Sequence, residues 1–250
     1  MQKYGLIGKK LGHSFSRNYF NDKFHREHIE AVYLNFELAE IDEIGLVLAD
    51  HPELHGFNVT IPYKQRILPY LNHVDEVAHG VGAVNTVQVE HDGSLSGYNT
   101  DVIGFRDSLS NFYQGDPGGK ALILGSGGAS KAVRYALRHF FEFEEVEVAS
   151  RNPRMGYVAY ATLHERGLQD YRLIVNCTPL GMAPYPETFP DLPYASLAPG
   201  TFLHDLVYNP EHTEFLNKGR AHGGQVKNGM EMLIGQAEAA WSIWRDTWAN

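Results

Sequence analysis

The sequence predicts an α/β protein with two domains. Short apolar segments of strand length alternate along the chain with segments of helical periodicity, an order typical of sheets covered by helices. A proline and glycine cluster at residues 116–119 interrupts this order, and a new apolar segment of strand length follows at residues 121–124. Because such clusters mark turns and linkers, we expect a second domain to begin there.

The first half predicts a mainly parallel, mixed sheet. A His-Asp-Gly turn at residues 91–93 lies between two strand-like segments and predicts a hairpin, hence an antiparallel edge on this sheet. Pro62 predicts a helix start soon after the third strand. The predicted strands cover residues 4–7, 32–36, 57–60, 83–89 and 94–98, and the predicted helices cover residues 16–28, 41–49 and 62–71.

The second half repeats the order strand, helix, strand, which is typical of a doubly wound parallel sheet. The predicted strands cover residues 121–124, 146–149, 173–176 and 202–207, and the predicted helices cover residues 129–141 and 155–166.

The last segment predicts a helix with one broad apolar stripe. We interpret its tryptophans as core residues, and we expect the helix to pack back on the first domain. The two domains then cover residues 1–112 with 228–250, and residues 113–227. The stripe consists of Met230, Leu233, Ile234, Ala237, Trp241, Trp244 and Trp248.

The composition argues against several classes of protein. A single cysteine, Cys177, cannot form an internal disulfide and is more typical of a small buried side chain than of a nucleophile. The formal net charge of −9 disfavours general binding to nucleic acid or acidic membranes, which needs basic surface. No apolar run approaches the roughly 20 residues that span a bilayer, and no export signal precedes Tyr4. We therefore expect a cytoplasmic protein, either a monomer or a homodimer.

A glycine-rich loop in the second half predicts a nucleotide site. Gly125, Ser126, Gly127, Gly128 and Ala129 follow a predicted strand and open a predicted helix. Glycines in that position allow a tight turn and let backbone N–H groups approach a pyrophosphate. The third glycine of the usual pattern is replaced by serine, and an ordinary strand-to-helix turn is the alternative.

The end of the next strand predicts which dinucleotide binds. An NAD enzyme usually carries an acidic residue there to bind the ribose 2′-hydroxyl, but this chain has Ser150, Arg151 and Asn152. A guanidinium flanked by a hydroxyl and an amide suits a 2′-phosphate. The sequence therefore favours NADP, with an exposed arginine that balances nearby glutamates as the alternative.

Polar clusters in the first half follow predicted strands or open predicted helices. Ser14 and Ser16 follow the first strand and suit either helix capping or contact with a carboxylate. Lys64 falls in the first turn of the helix predicted from Pro62, where a cation is unfavourable against the helix dipole. That misfit hints at a functional lysine.

With Asn85 and the Asn-Thr-Asp segment that ends at Asp101, the sequence resembles the shikimate dehydrogenases. The resemblance implies a substrate-binding domain with a mainly parallel mixed sheet and a Rossmann-like NADP domain. It also implies reversible reduction of 3-dehydroshikimate to shikimate with NADPH, in the pathway to chorismate and aromatic amino acids. The motifs, in family order from residue 5 to residue 236, are His-Ser-x-Ser, Asn-Val-Thr-x-Pro-x-Lys, Ala-Val-Asn-Thr, Gly-x-Asn-Thr-Asp, Gly-x-Gly-Gly-Ala, Asn-x-Thr-Pro-Leu-Gly-Met and Gly-Met-x-Met-Leu-x-x-Gln.

Carried over by position, the resemblance implies roles for individual residues. It implies that Lys64 and Asp101 are the catalytic pair, in which the lysine polarises the ketone and donates a proton while the aspartate holds the lysine. For the substrate, it implies that the carboxylate is bound by Ser14, Ser16 and Thr60 and that the ring hydroxyls are bound by Asn85, Asp101 and Gln236. For the cofactor, it implies that the pyrophosphate is bound by Gly125, Ser126, Gly127, Gly128 and Ala129 and the 2′-phosphate by Arg151. The residues implied near the nicotinamide end are Thr178, Gly181, Met182, Tyr208 and Gly229.

Three alternatives stay open at this point. The chain could be a quinate/shikimate dehydrogenase with relaxed cofactor or substrate choice, or a nucleotide-binding sensor that has lost catalysis. A metal enzyme is suggested by His25 with His28 and by His51 with His55. Neither histidine pair has the acidic partner of a zinc-protease pattern, so surface histidines are the favoured interpretation and no metal is expected.

Overall fold

The computed structural model describes residues 1–12, 14–115, 118–152 and 156–248, with side chains described as far as Arg245. The chain divides into two compact units, Met1–Thr100 with Ala237–Asn250, and Asp101–Gln236. His13, Met155, the first two residues of the predicted 116–119 linker cluster and the Trp248 side chain lie outside the described residues. Among the helices of the described residues, none is both long and apolar enough to cross a membrane.

The first unit is a sheet with helices on its faces, as predicted for this half. Single-turn 3₁₀ helices at Ile41–Glu43 and Leu68–Tyr70 supplement the regular elements. In chain order those elements are β1 (Gln2–Gly8), α1 (Phe15–Arg26), β2 (Ala31–Glu37), α2 (Ile44–Asp50), β3 (Leu54–Val59), β4 (His73–Val74), α3 (Glu76–Val81), β5 (Thr86–Val89) and β6 (Leu95–Tyr98).

The six-stranded sheet of this unit has the order β2-β1-β3-β5-β6-β4. Strand β1 pairs in parallel with β2 and β3, while β5 is antiparallel to both β3 and β6. The mixed sheet and the hairpin at residues 91–93 are therefore confirmed, and Gly93 supplies the positive φ of the turn. The predicted antiparallel edge is wrong, because the two-residue strand β4 pairs in parallel with β6 and forms the edge.

The helix predicted over residues 62–71 is wrong. The segment forms turns that lead into the 3₁₀ helix at Leu68–Tyr70. The backbone carbonyl of Lys64 accepts a hydrogen bond from the backbone N–H of Val84 at 2.7 Å, from a segment distant in sequence. An α-helix would need that carbonyl for the N–H four residues later, so the long-range bond replaces the helical one.

Two tryptophans of α8 (Met230–Trp248), Trp241 and Trp244, lie in the core of the first unit. Trp244 is fully buried, stacks on Tyr4 with ring centroids 5.0 Å apart, and donates its indole N–H to the backbone carbonyl of Val87 at 3.0 Å. It packs so closely on Gly56 that a Cβ there would overlap the indole. Trp241 is also buried, so the core interpretation is confirmed for both. Of the predicted stripe, Ile234 is instead exposed.

The second unit is a doubly wound parallel sheet, which confirms that prediction. Its five strands have the order β11-β10-β9-β7-β8, and all their pairings are parallel. The remaining elements of the chain are α4 (Thr100–Ser110), β7 (Lys120–Leu124), α5 (Gly128–Phe140), β8 (Glu145–Ala149), α6 (Tyr160–Arg166), β9 (Tyr171–Asn176), β10 (Phe202–Asp205), α7 (Glu214–Ala221), β11 (Gln225–Lys227) and α8 (Met230–Trp248), with a 3₁₀ helix at Tyr194–Ser196. Residues of α8 from Ala237 onward belong to the first unit.

Candidate active-site and cofactor residues

Ser14 and Ser16 lie at the start of α1. The Ser14 Oγ accepts a hydrogen bond from the backbone N–H of Arg17 at 3.3 Å, so Ser14 caps the helix as the capping interpretation predicts. That bond uses an oxygen lone pair, and the hydroxyl hydrogen of Ser14 remains a donor. Ser16 is half-buried, and its side chain hydrogen-bonds to the Tyr33 phenol.

Thr60 and Lys64 follow the carboxyl end of β3. The backbone N–H of Thr60 donates to the Ile7 carbonyl at 2.9 Å, which holds this loop against the end of β1. Both side chains are half-buried. The bond from Val84 to the Lys64 carbonyl fixes the lysine backbone next to the segment that leads into β5.

Asn85 belongs to a buried network of hydrogen bonds in the first unit. Its Oδ1 accepts from the Thr100 backbone N–H at 2.7 Å, and its Nδ2 donates to the Thr100 hydroxyl at 3.0 Å. The Thr86 hydroxyl lies 2.9 Å from the Thr100 hydroxyl. The Nδ2 of Asn58 donates to the Asn85 carbonyl at 3.2 Å and to the Thr86 hydroxyl at 3.1 Å. The Tyr33 phenol donates to the Asn58 Oδ1 at 2.7 Å and closes the network on the side of Ser16.

The network allows one orientation for each of its two amides. A carbonyl oxygen only accepts, so the Asn58 nitrogen must face the Asn85 carbonyl and the Asn58 oxygen must face Tyr33. A backbone N–H only donates, so the Asn85 oxygen must face Thr100. Because these groups are buried, loss of one partner leaves another unpaired at a cost of about 1–3 kcal/mol. The Asn85 side chain is therefore rigidly placed.

Asp101 and Gln236 lie on two helices of the second unit that approach closely. Asp101 is buried in the first turn of α4, while Gln236 lies on α8 and donates from Nε2 to the Leu233 carbonyl at 2.9 Å. Gly104 permits the close approach, because a Cβ there would lie 2.7 Å from the Gln236 backbone nitrogen. A larger residue at position 104 would push α4 and α8 apart.

The glycine-rich loop has the geometry expected of a pyrophosphate site. Gly125 has a φ of +102° and donates its backbone N–H to the Ala149 carbonyl at 2.8 Å, a conformation that favours glycine. Gly127 precedes α5 without any side-chain cap, and a Cβ there would meet nothing within 4 Å. The first turn of α5 thus presents backbone N–H groups to an open space, which fits an anionic group.

The residues after β8 lie next to this loop. The Ser150 hydroxyl is 3.4 Å from the Ser126 hydroxyl and accepts the backbone N–H of Asn152 at 3.4 Å. Arg151 and Asn152 are exposed. Two hydroxyls and an exposed guanidinium at the carboxyl ends of β7 and β8 fit a phosphate on a ribose.

The residues predicted at the nicotinamide end lie on segments after β9 and β10. Thr178 donates its hydroxyl to the Asn176 Oδ1 at 2.6 Å, and Gly181 has a φ of +91°. Met182 is exposed, whereas Tyr208 is half-buried and burial raises the pKa of its phenol. Gly229 donates its N–H to the Val207 carbonyl at 3.1 Å, and a Cβ there would overlap the Leu206 carbonyl.

Several polar residues of these networks were not predicted as functional. They are Tyr33, Asn58 and Thr86, which are buried and lie within β2, β3 and β5. An amide between the apolar residues Phe57 and Val59 was the available signal for Asn58. Within the part of the chain that the structure describes, no group of three or more His, Cys, Asp or Glu residues is arranged to hold a metal ion.

Both a family model and individual proteins match this chain. The family described as the shikimate dehydrogenase substrate binding domain matches residues 6–87. The protein named shikimate dehydrogenase (NADP(+)) of Staphylococcus aureus strain MRSA252 is 36% identical over 252 residues, which cover 97% of this chain and 92% of that protein.

Two solved structures extend the comparison. Shikimate 5-dehydrogenase from Thermus thermophilus, in complex with NADP(H) and shikimate, matches with a TM-score of 0.83 and 32% identity over 98% of this chain and 94% of that one. Quinate dehydrogenase from Corynebacterium glutamicum, in complex with NAD, matches with a TM-score of 0.85 and 28% identity over 98% of this chain and 94% of that one.

Proposed function

Because the chain belongs to the shikimate dehydrogenase family, we propose that it catalyses the reversible, NADP-dependent reduction of 3-dehydroshikimate to shikimate. This reaction contributes to the synthesis of chorismate and the aromatic amino acids. The observation that carries the proposal is the buried network that holds Asn85 against Thr100, the first residue of α4, one position before Asp101. A rigid amide, bonded to the residue that precedes a buried carboxylate, suits recognition of a hydroxylated ring.

The substrate is held by hydroxyls, amides and one carboxylate of this chain. Ser14, Ser16 and Thr60 donate to the substrate carboxylate, a role that suits the donor retained by Ser14. Asn85, Asp101 and Gln236 bind the ring hydroxyls. Since the Asn85 oxygen is committed to Thr100, its amide nitrogen is the atom that donates to the ring.

The cofactor residues select NADP and hold it. Gly125, Ser126, Gly127, Gly128 and Ala129 bind the pyrophosphate at the start of α5. The group around the 2′-phosphate is Ser150, Arg151 and Asn152, and the group near the nicotinamide is Thr178, Gly181, Met182, Tyr208 and Gly229. Bound NADPH supplies the hydride.

The proton is transferred by Lys64, which Asp101 holds in place. The Lys64 ammonium polarises the ring ketone, stabilises the developing alkoxide and donates the proton to its oxygen. Asp101 orients the ammonium through a charge-assisted hydrogen bond. In the oxidative direction, the same lysine receives the proton from the ring hydroxyl.

The two domains have separate tasks in this function. Residues 1–112 with 228–250 form the substrate-binding catalytic domain, and residues 113–227 form the NADP-binding domain. In this function the protein is a cytoplasmic enzyme that acts as a monomer or a homodimer.

The test follows NADPH absorbance on addition of 3-dehydroshikimate, with NADH in parallel and with shikimate and quinate in the oxidative direction. Turnover with NADPH and shikimate, and weak activity with NADH or quinate, is the expected result. The likeness to a quinate dehydrogenase makes a broader enzyme the second candidate, which comparable quinate or NADH activity would establish. Tight NADPH binding without turnover would instead identify a catalytically inactive sensor.

A further inference from the structure

Two buried polar residues end neighbouring strands in the second unit. Asn176 is the last residue of β9, Asp205 is the last residue of β10, and the two are paired in register. Both are fully buried. The Asn176 Nδ2 donates to the Asp205 Oδ1 at 2.9 Å, which joins the two strand ends through side chains.

Each of these side chains also holds the segment that follows its own strand. The Asn176 Oδ1 accepts from the Thr178 backbone N–H at 3.0 Å and from the Thr178 hydroxyl at 2.6 Å. The Asp205 Oδ1 accepts from the Val207 N–H at 3.0 Å, and its Oδ2 accepts from the Thr213 hydroxyl at 2.5 Å. One carboxylate and one amide therefore bridge the segments 176–182 and 205–213.

The charge of Asp205 is the feature that folding alone does not explain. The partners that donate to its carboxylate are an amide, a backbone N–H and a hydroxyl, all of them neutral. Burial raises the pKa of this carboxyl to about 6, so the anion is held at a cost to the folded state. A neutral amide of the same shape would have a smaller desolvation penalty and could keep the bonds from Asn176 and Val207, but its nitrogen could not accept from Thr213.

In the proposed function, both bridged segments contact the cofactor. Thr178, Gly181 and Met182 lie on the first segment and Tyr208 lies on the second, and all four belong to the nicotinamide end in the proposed function. The backbone of Gly229 bonds to Val207, which is itself bonded to Asp205. A shift of either segment would therefore move several cofactor contacts together.

We propose that Asp205 is a positioning residue for NADPH, which acts by bonding the segments after β9 and β10 into the single arrangement that receives the nicotinamide end. The inference rests on the proposed function, because it assigns these segments to the cofactor. Asp205 acts through Asn176 and Thr213, and it takes no part in proton transfer.

The first variant is Asp205→Asn, which keeps the shape and removes the charge. We expect the dissociation constant for NADPH, measured by fluorescence titration without substrate, to rise about tenfold, as for loss of one charge-assisted hydrogen bond. The KM for 3-dehydroshikimate should change less than about twofold, and the thermal midpoint at neutral pH should not fall, because a buried charge has been removed. Weaker cofactor binding in a protein of undiminished stability is a pattern that a merely structural residue would not produce.

A second set of variants tests the same role if Asp205→Asn fails to fold. Thr213→Val removes the donor to Oδ2 and should also weaken NADPH binding, while Thr213→Ser should restore it. Thr201→Val is the matched control: Thr201 is a buried threonine immediately before β10, and its hydroxyl donates to the Ala198 carbonyl at 2.8 Å. It should lower stability without altering the NADPH dissociation constant.

The contrary outcomes are distinct. Unchanged NADPH affinity in Asp205→Asn or Thr213→Val, or equal losses in Thr213→Val and Thr201→Val, would overturn the positioning role while leaving the proposed function intact. A wild-type protein that neither binds NADPH nor turns over substrate would overturn the proposed function and this inference together.

Discussion

The side-chain oxygen of Asn85 accepts the backbone N–H of Thr100 at 2.7 Å, while its amide nitrogen donates to the Thr100 hydroxyl at 3.0 Å. This two-point bond joins the residue before β5 to the first residue of α4. A single asparagine thus satisfies the first N–H of a helix and, in the proposed function, presents a donor to the substrate. Structure and recognition depend on the same amide.

We expect Asn85→Ala to reduce kcat/KM for 3-dehydroshikimate roughly 10- to 100-fold. The variant leaves the ring hydroxyl that Asn85 binds buried without its partner, which costs about 1–3 kcal/mol. The KM for NADPH should be unchanged. Steady-state kinetics with each substrate varied in turn measures both effects. Asn99→Ala is the matched control, since Asn99 is also buried and donates to the Ala83 carbonyl at 2.8 Å. If both variants raise the substrate KM equally, Asn85 has no special contact with the ring.

Lys64→Ala should collapse turnover by about three orders of magnitude while leaving substrate affinity nearly intact, because proton donation by a positioned group contributes roughly 10²–10⁴ in rate. Single-turnover kinetics and equilibrium binding of shikimate separate the two effects. Arg66→Ala is a control from the same turn, where Arg66 pairs with Glu40 at 2.6 Å. Lost binding with preserved turnover at saturation would show that Lys64 is only a contact residue.

Local sequence patterns sufficed for much of the fold. The order β7, α5, β8 could be predicted because a buried strand, a glycine turn and an amphipathic helix are each encoded in neighbouring residues. The hairpin of β5 and β6 was predictable for the same reason. By contrast, β4 has two residues and β11 has three, which is too short for any periodicity to show.

Long-range contacts account for what the sequence did not reveal. The helix expected at residues 62–71 fails because the Lys64 carbonyl bonds to Val84, a partner that no local pattern indicates. Asn58 could be assigned to a strand from its neighbours, but its role depends on Tyr33 and Asn85, which reach it only in the folded sheet. The positions of the candidate site residues were predictable from motifs, whereas the residues that hold them in place were not.

Arg151→Ala should raise the KM for NADPH roughly 10- to 100-fold, because a charge-assisted hydrogen bond to a phosphate contributes about 1.5–3 kcal/mol. The KM for NADH should stay the same, because NADH lacks that phosphate. The ratio of the KM for NADPH to the KM for NADH therefore measures the contact between Arg151 and the 2′-phosphate. Arg172→Ala, at an exposed arginine on β9, tests for a general effect of positive charge. Equal changes for NADPH and NADH would contradict the assignment of Arg151 to the 2′-phosphate.

Asp205 also predicts how stability depends on pH. Burial raises its pKa from 3.8 to about 6, so between these values the folded protein binds more protons than the unfolded chain does. The free energy of unfolding contributed by this group therefore falls as the pH rises through that window, by about 3 kcal/mol for a shift of roughly two units. Asp205→Asn lacks the titration, so its stability relative to wild type should increase from pH 4 to pH 7.

Urea denaturation of both proteins across that range measures the difference directly. His204, whose pKa burial lowers to about 3, has the opposite dependence: its contribution to stability is lost as the pH falls below the ordinary histidine value. Since His204 is present in both proteins, its contribution cancels when the two curves are subtracted. A difference that stays constant from pH 4 to pH 7 would mean that the Asp205 carboxyl titrates normally, and the charge at the end of β10 would then carry no cost that cofactor binding has to explain.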